Sequence, residues 1–238
     1  MESPIGPEVN FKTPTEAPSR KVLNGRYITL VPLQPSHAKS LFKHLGGEEN
    51  ATLWTYLFQE PFLDYFKFEA AVKSWSTSED PLYYTVMSGP ASDPSAEPVG
   101  FMTFMSIVPA HKRIEIGSIC FSKKLQKTRQ ATETFYLLMT EAFEELGYDR
   151  LEWKANNLNK PSLKAANRLG FTFEGVFRKH MVVKGRRRDT AWFSITDDEW
   201  PIVKGGLEYW LSGANFDQRG DQIRSLIECR DAIQHRRG

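Results

Sequence analysis

The apolar positions of this chain change period several times, and each change marks an element. Phe135, Leu138, Met139, Ala142, Phe143 and Leu146 fall on one face of a 3.6-residue period, which predicts an amphipathic helix from Ala131 until Gly147 stops it. Ahead of it, LYYTVMS (82–88), VGFMTFMSIV (99–108) and RIEIGSICFS (113–122) are β-rich runs. A Gly/Pro/Ser/Asp loop over 89–98 and a PAHK turn separate them, so three strands in succession predict an antiparallel meander. Upstream, Tyr27, Thr29 and Val31 alternate with Ile28 and Leu30 in a further strand, which Pro32 and Pro35 end before a helix from about Ser36. Downstream, DRLEWKA (149–155) reads as a strand and Pro161 to Leu169 as a helix ended by Gly170. Two long strands, FTFEGVFRKHMVV and DTAWFSI, then flank a KGRRR turn. A helix from Asp198 and another from Asp221, carrying Ile223, Leu226, Ile227 and Ile233, complete the chain.

Residues 50–76 hold Trp54, Tyr56, Phe58, Phe62, Tyr65, Phe66, Phe68 and Trp75 around Pro61, and predict two short helices. Their aromatics are read first as core and second as the lining of a pocket. Residues 1–20, with four prolines and few large apolar groups, are expected to be a disordered arm. The folded part is assigned to 21–200, and 201–238 to a helical extension that packs on the domain or on a second subunit as a homodimer.

Composition narrows the classes. A chain of 238 residues with a formal charge of +2 gives no bulk electrostatic case for nucleic acid or membrane as a partner. KGRRR at a turn, without interleaved aromatics, adds only a weak one. Two cysteines, Cys120 in an apolar run and Cys229 near the end, support neither a disulfide framework nor a cysteine metal site, so no metal is expected. With no apolar stretch of membrane-spanning length and no secretory-type start, an intracellular, cytoplasmic protein is expected.

The order of these elements, with the words GRYITLVPLQPSHAKSLF (25–42), IEIGSICFSKKLQKTRQATETFYLLMTEAFEELGYDRLEW (114–153), NKPSLKAANRLGFTFEGVFR (159–178) and RDTAWFSITDDEW (188–200), resembles the GNAT superfamily of N-acetyltransferases, in its RimJ/RimL-like branch. The resemblance covers roughly residues 21–200. It implies an α/β (α+β) fold with a mixed, mostly antiparallel seven-stranded sheet flanked by helices. It also implies acetyl-CoA as co-substrate, its pyrophosphate at the start of the long helix, and an amine acceptor, either a protein N-terminal α-amine or a small molecule. A coenzyme-binding module that kept the fold without turnover is the alternative.

In the family the phosphate loop reads Q/R-x-x-G-x-G/A, and the matching residues here are Gln126, Lys127, Thr128, Arg129, Gln130 and Ala131, followed by Thr132. Arg129 stands at the first glycine. With a negative φ it costs nothing there, and its guanidinium is expected to lean over the phosphates or the coenzyme adenosine, beside amides that a helix start leaves unpaired. For the base, Glu115 in an apolar strand is one candidate, spaced from Arg129 as the general-base glutamate of the histone-acetylating branch is from its loop glycine. Pairing with Arg113 or with a neighbouring strand is its structural alternative. His180 is the rival base; the RimL-type glutamate falls one residue later, at Met181, which a strand would turn to the opposite side unless a bulge intervened. Ser162 matches the serine of the family's N-x-x-S motif and is expected to donate to the leaving sulfur, with Asn159 leading that motif and capping the helix. The tyrosine that other branches use is Ala166 here. Main-chain donors near Ile119, Cys120 and Phe121 are expected at the thioester carbonyl. Trp54, Tyr84, His180 and Asp189 are the candidates for contact with the acceptor.

Overall fold

The computed structural model describes residues 15–235, with residues 6 and 8. Eight strands form one sheet: β1 (Leu23–Asn24), β2 (Thr29–Pro32), β3 (Leu82–Met87), β4 (Pro98–Val108), β5 (Arg113–Phe121), β6 (Arg150–Asn156), β7 (Thr172–Val183) and β8 (Arg186–Thr196). Their order is β1-β2-β3-β4-β5-β6-β8-β7, antiparallel except where β5 meets β6. The eighth strand, beyond the seven expected, is the two-residue β1 on Thr29 and Leu30, too short to leave an alternating pattern.

Helices cover both faces. On one side lie α1 (Ala38–Leu45), a 3-10 helix over Glu48–Trp54, and α2 (Tyr65–Trp75). On the other lie α3 (Arg129–Thr140), α4 (Lys160–Leu169), α5 (Trp200–Leu211) and α6 (Leu226–Gln234). Alternation along β3 and β4 explains why both read as continuous apolar runs. Tyr84, Val86, Met102 and Phe104 join the core under α3, whereas Tyr83 and Phe101 join the core under α1 and α2. The aromatic stretch is mostly that second core: Trp54, Phe62, Phe68, Trp75, Tyr83 and Phe101 are in mutual ring contact, with Trp75 stacked on Tyr83 at 5.3 Å. Each such pair stabilises by about 0.5–1.5 kcal/mol beyond its buried area.

The long helix is α-helical through Thr140 and finishes in a π turn, Glu141–Glu145, before Gly147 at φ 71°. On its polar side Glu133 is buried without a cation partner among the described residues. Its carboxylate instead accepts from three successive amides, Arg26 (2.9 Å), Tyr27 (2.6 Å) and Ile28 (2.9 Å). Three backbone donors replace its lost hydration and bolt α3 to the entry of β2. Gly25 follows from this: a Cβ there would lie 2.5 Å from Glu133 Oε2.

The last helix starts at Leu226 rather than Asp221, because Ser225 and Glu228 form a reciprocal cap. Leu226 and Cys229 are its buried positions, and Ile223 and Ile227 are exposed. Most of the expected N-terminal arm lies outside the described residues. Residues 15–20, however, run along the domain, with Pro18 buried, the Glu16 amide on Leu146 O (3.1 Å) and the Tyr84 hydroxyl on Ser19 O (3.2 Å). Among the described residues no helix is long and apolar enough to cross a membrane.

Candidate active site

The parallel pairing of β5 with β6 stops at Glu115 opposite Glu152; beyond it the strands part. The gap opens into a cleft of about 1230 Å³, larger than the roughly 300–1,000 Å³ of a drug-sized site. Its walls are the splayed ends of β5 and β6, the start of α3, one face of α4, and the middle of the β7–β8 hairpin.

At the α3 end, Thr128 is the N-cap: its Oγ1 accepts from the Ala131 amide (3.1 Å) and donates to Leu125 O (2.6 Å). The amides of Arg129 and Gln130 are left without an acceptor among the described residues. The left-handed residue of this loop is Lys127, at φ 61°, and Arg129 is simply the first helical residue. That is why position 129 needs no glycine. The expected lean over the phosphates is not what its side chain does. The guanidinium lies 3.4 Å from the Phe216 ring centroid and 4.9 Å from that of Tyr27, and Arg129 is not part of the cleft wall. Gln130 is likewise outside the wall, whereas Gln126, Lys127, Thr128, Ala131 and Thr132 belong to it.

On α4, Asn159 caps the helix as expected, accepting from the Ser162 amide at 3.3 Å. The Ser162 hydroxyl accepts from the Trp153 indole N–H at 3.1 Å, which leaves its own proton free for the cleft. Two turns on, Arg168 donates to Thr132 Oγ1 (3.1 Å) and lies over the Trp210 ring (4.8 Å), whose indole in turn donates to Gln222 (2.8 Å). Burial pulls the Arg168 pKa below its ordinary value, and among the described residues no carboxylate pairs with it. Arg168, Trp210 and Gln222 are wall residues that no motif in the sequence announces. The signal for Arg168 was the 162, 165, 168, 169 face of α4; for Trp210 and Gln222 there was none.

At the vertex, Glu115 is 5 % exposed and its Oε2 accepts from Lys154 Nζ (2.7 Å) and Ser106 Oγ (3.0 Å). Its structural partner is thus Lys154 on the neighbouring strand β6, one of the two alternatives expected, whereas Arg113 approaches Glu152 instead. Lys154 also bridges to Glu152 (2.8 Å) and sits over the Trp192 ring (4.4 Å). Burial pushes the Glu115 carboxyl above the usual carboxylate range, against the pull of Lys154 and Ser106. Burial acts on Glu152 in the same direction, but hydrogen bonds from Lys154 and Arg150 outweigh it and hold that group low.

The β7 bulge that His180 needed is present. Phe177 pairs with Thr190 and Met181 with Arg188, so three residues face one, with Lys179 at φ 52°. Both His180 and Met181 therefore reach the cleft wall. His180 Nδ1 is 3.0 Å from Thr190 Oγ1, which also accepts from Arg188 Nε (3.2 Å). Asp189 is outside the wall and holds the bulge, accepting from the Lys179 amide (2.7 Å) and from Arg187. Trp54 and Tyr84 are also corrected. Both are fully buried, Trp54 donating to Leu45 O (2.8 Å), because each fills a core on its own face of the sheet. Cys120 and its neighbours Ile119 and Phe121 line the gap, with the Cys120 thiol driven far up by burial, so no thiolate chemistry arises there.

The cleft wall carries six cationic side chains, Lys127, Lys154, Lys160, Lys164, Arg168 and Arg188, against the single carboxylate of Glu115. Such a donor set fits a polyanionic, phosphate-bearing ligand. No cluster suited to a metal ion occurs among the described residues.

Residues 28–172 match the acetyltransferase (GNAT) domain family, and the chain belongs to that family. A GCN5-related N-acetyltransferase from Brucella melitensis is similar in structure, with a TM-score of 0.88 and 43% sequence identity, covering 92% of this chain and 98% of that one. The uncharacterized N-acetyltransferase p20 of Bacillus licheniformis is 36% identical over 70 residues, which is 29% of this chain and only 39% of that relative's length. The acetyl transferase of Salmonella typhimurium that modifies N-terminal serine of 50S ribosomal subunit protein L7/L12 shares the fold, at 20% identity and a TM-score of 0.62 over 74% of this chain and 99% of that one.

Proposed function

We propose that the protein is an acetyl-CoA-dependent N-acetyltransferase acting on a primary amine. The observation that carries this reading is the cleft itself: strands parted at Glu115, a capped helix start with free amides at one end, and a buried carboxylate at the other. Acetyl-CoA, when bound, supplies an activated acetyl thioester. The chain's part is to hold, orient and move protons. The α3 amides, Lys127 and Arg168 would take the phosphates, and Trp210 would close that end of the cleft.

Ser162, its oxygen already fixed by the Trp153 indole, directs its proton toward the leaving sulfur. Glu115 is the base that the geometry favours. Its Oε1 has no partner among the described residues, and burial raises its proton affinity. His180 is the weaker choice. Its Nδ1 is engaged by Thr190 Oγ1 (3.0 Å), which leaves Nε2 alone to meet the acceptor, and among the described residues no carboxylate stands behind the ring to stabilise an imidazolium.

The protein N-terminal α-amine as acceptor rests on the RimJ/RimL-like words of the sequence and on the Salmonella typhimurium likeness of fold. Small amines fit the same chemistry. The test is mass spectrometry of a mixed panel of peptides and small amines incubated with acetyl-CoA. A product carrying one added acetyl group, lost on omission of the protein and strongly reduced by Glu115→Gln, is expected. Binding of acetyl-CoA with no acetylated product from any amine would instead favour the non-catalytic coenzyme-binding module.

A further inference from the structure

Arg188 has no task in the acetyl transfer described above, yet it is among the most buried cations of the molecule. It lies on β8 opposite Met181, 7 % exposed, at the end of the cleft where the amine would sit. Its Nε donates to Thr190 Oγ1 (3.2 Å) and the Phe58 ring covers its plane (5.2 Å to the centroid). No carboxylate lies within 4.0 Å of it among the described residues. Its two terminal nitrogens have no acceptor among the described residues, and neither is sealed from the cleft.

The neighbouring cations are satisfied. Lys154 has two carboxylates, Arg187 has Asp189, and Lys184 has Trp54 O at 2.7 Å. A desolvated guanidinium whose fork stays empty is costly, and the protein anion that acts on it, Glu115, does so only through space, without reaching hydrogen-bond distance. The planar pair of N–H groups is the geometry that grips a carboxylate or phosphate through two oxygens.

We infer that the acceptor is an amine bearing its own anionic group, a carboxylate or phosphate, which Arg188 grips while the amine faces Glu115. This rests on the acetyltransferase reading and narrows its substrate class. A positively charged head near Glu115 and a negative group near Arg188 would also orient the acceptor, since the reversed pose sets like charges together.

The experiment uses matched amines that differ in the anion alone: alanine against alaninamide, phosphoethanolamine against ethanolamine, and peptides starting Ala-Asp against Ala-Asn. Binding is measured by calorimetry on the coenzyme-loaded protein, and kcat/KM where turnover occurs. The free-acid, phosphate and peptide arms tell the sources of the anion apart. At least one anionic member should be preferred on the order of 10- to 100-fold, the range of a charge-assisted hydrogen bond. Arg188→Gln should collapse that ratio toward one, and Arg188→Glu should shift preference toward a diamine. Equal binding of both members of every pair by the wild-type protein overturns the inference, as does an Arg188→Gln variant in which both members fall by one common factor. Preferred binding of an anionic member without any acetylation would sustain the Arg188 site and defeat the proposed reaction instead.

Discussion

Replacing Arg129 separates two roles that its position in the phosphate loop confuses. The guanidinium stacks on Phe216 and Tyr27, and two cation–π contacts of about 0.5–1 kcal/mol each give roughly 1–2 kcal/mol of folding stability. For a domain of this size that amounts to about 2–8 °C in Tm for Arg129→Ala. Glycine at the same place costs slightly more, since it loosens a helical residue. A guanidinium gripping a phosphate would instead be worth about 1.5–3 kcal/mol of ligand affinity, or roughly 10- to 150-fold in Kd. Because Arg129 is outside the cleft wall, its removal should raise the acetyl-CoA Kd less than about threefold, the residue of a screened long-range charge. Thermal melts and calorimetric titration of Arg129→Ala, Phe216→Ala and the double variant provide the assay. The cycle should show a coupling of about 0.5–1 kcal/mol in stability. A tenfold loss of coenzyme affinity with unchanged Tm would refute the placement and restore a phosphate-binding role.

Four further outcomes follow from the geometry. The acid limb of kcat/KM should lie above the ordinary glutamate pKa of 4.5, because burial raises Glu115 and only its ionised form accepts a proton; Glu115→Gln should abolish that limb. The same shift means the folded protein holds this proton more tightly than the unfolded chain, so its stabilising contribution is full below pH 4.5 and is lost as pH rises through the folded value, which melts of wild type and Glu115→Gln across pH would show. Arg168→Ala should weaken acetyl-CoA by roughly tenfold or more in calorimetry, with Arg168→Lys recovering part of it. Glu133→Ala should strand the Arg26, Tyr27 and Ile28 amides and lower stability by about 3 kcal/mol or more in urea melts, with little change in coenzyme affinity.

Much of the fold was legible because periodicity is a local signal. The α3 stripe, the β3 to β5 meander and the Gly147 and Gly170 stops are written in adjacent residues. The loop of Gln126 to Ala131 could be placed at a helix start for the same reason. What stayed hidden depends on partners distant in the chain. Arg129 could not be seen to meet Phe216, nor Glu133 the turn at Arg26, nor Arg168 the Trp210 ring. Trp54 and Tyr84 pass for acceptor contacts in the sequence because an aromatic in a core and one in a pocket look alike until the sheet's two faces are assigned. The bulge at Lys179, which turns both His180 and Met181 toward the cleft, inserts residues without changing composition and leaves no pattern to read.

The segment after β8 has a practical meaning for anyone who cuts or grafts this protein. The family match ends at residue 172, yet Trp210 and Gln222 form part of the cleft wall, and α6 reaches back through Arg230 Nη1 to the Arg168 carbonyl (3.2 Å). Gly206 lets that return happen, since a Cβ there would lie 2.8 Å from the Arg230 backbone. An expression fragment trimmed at residue 172 would therefore lose β7 and β8 together with this part of the wall, and on the proposed placement of the coenzyme a chimera that swaps only the tail would change how the nucleotide end is gripped and leave Glu115 and Ser162 in place.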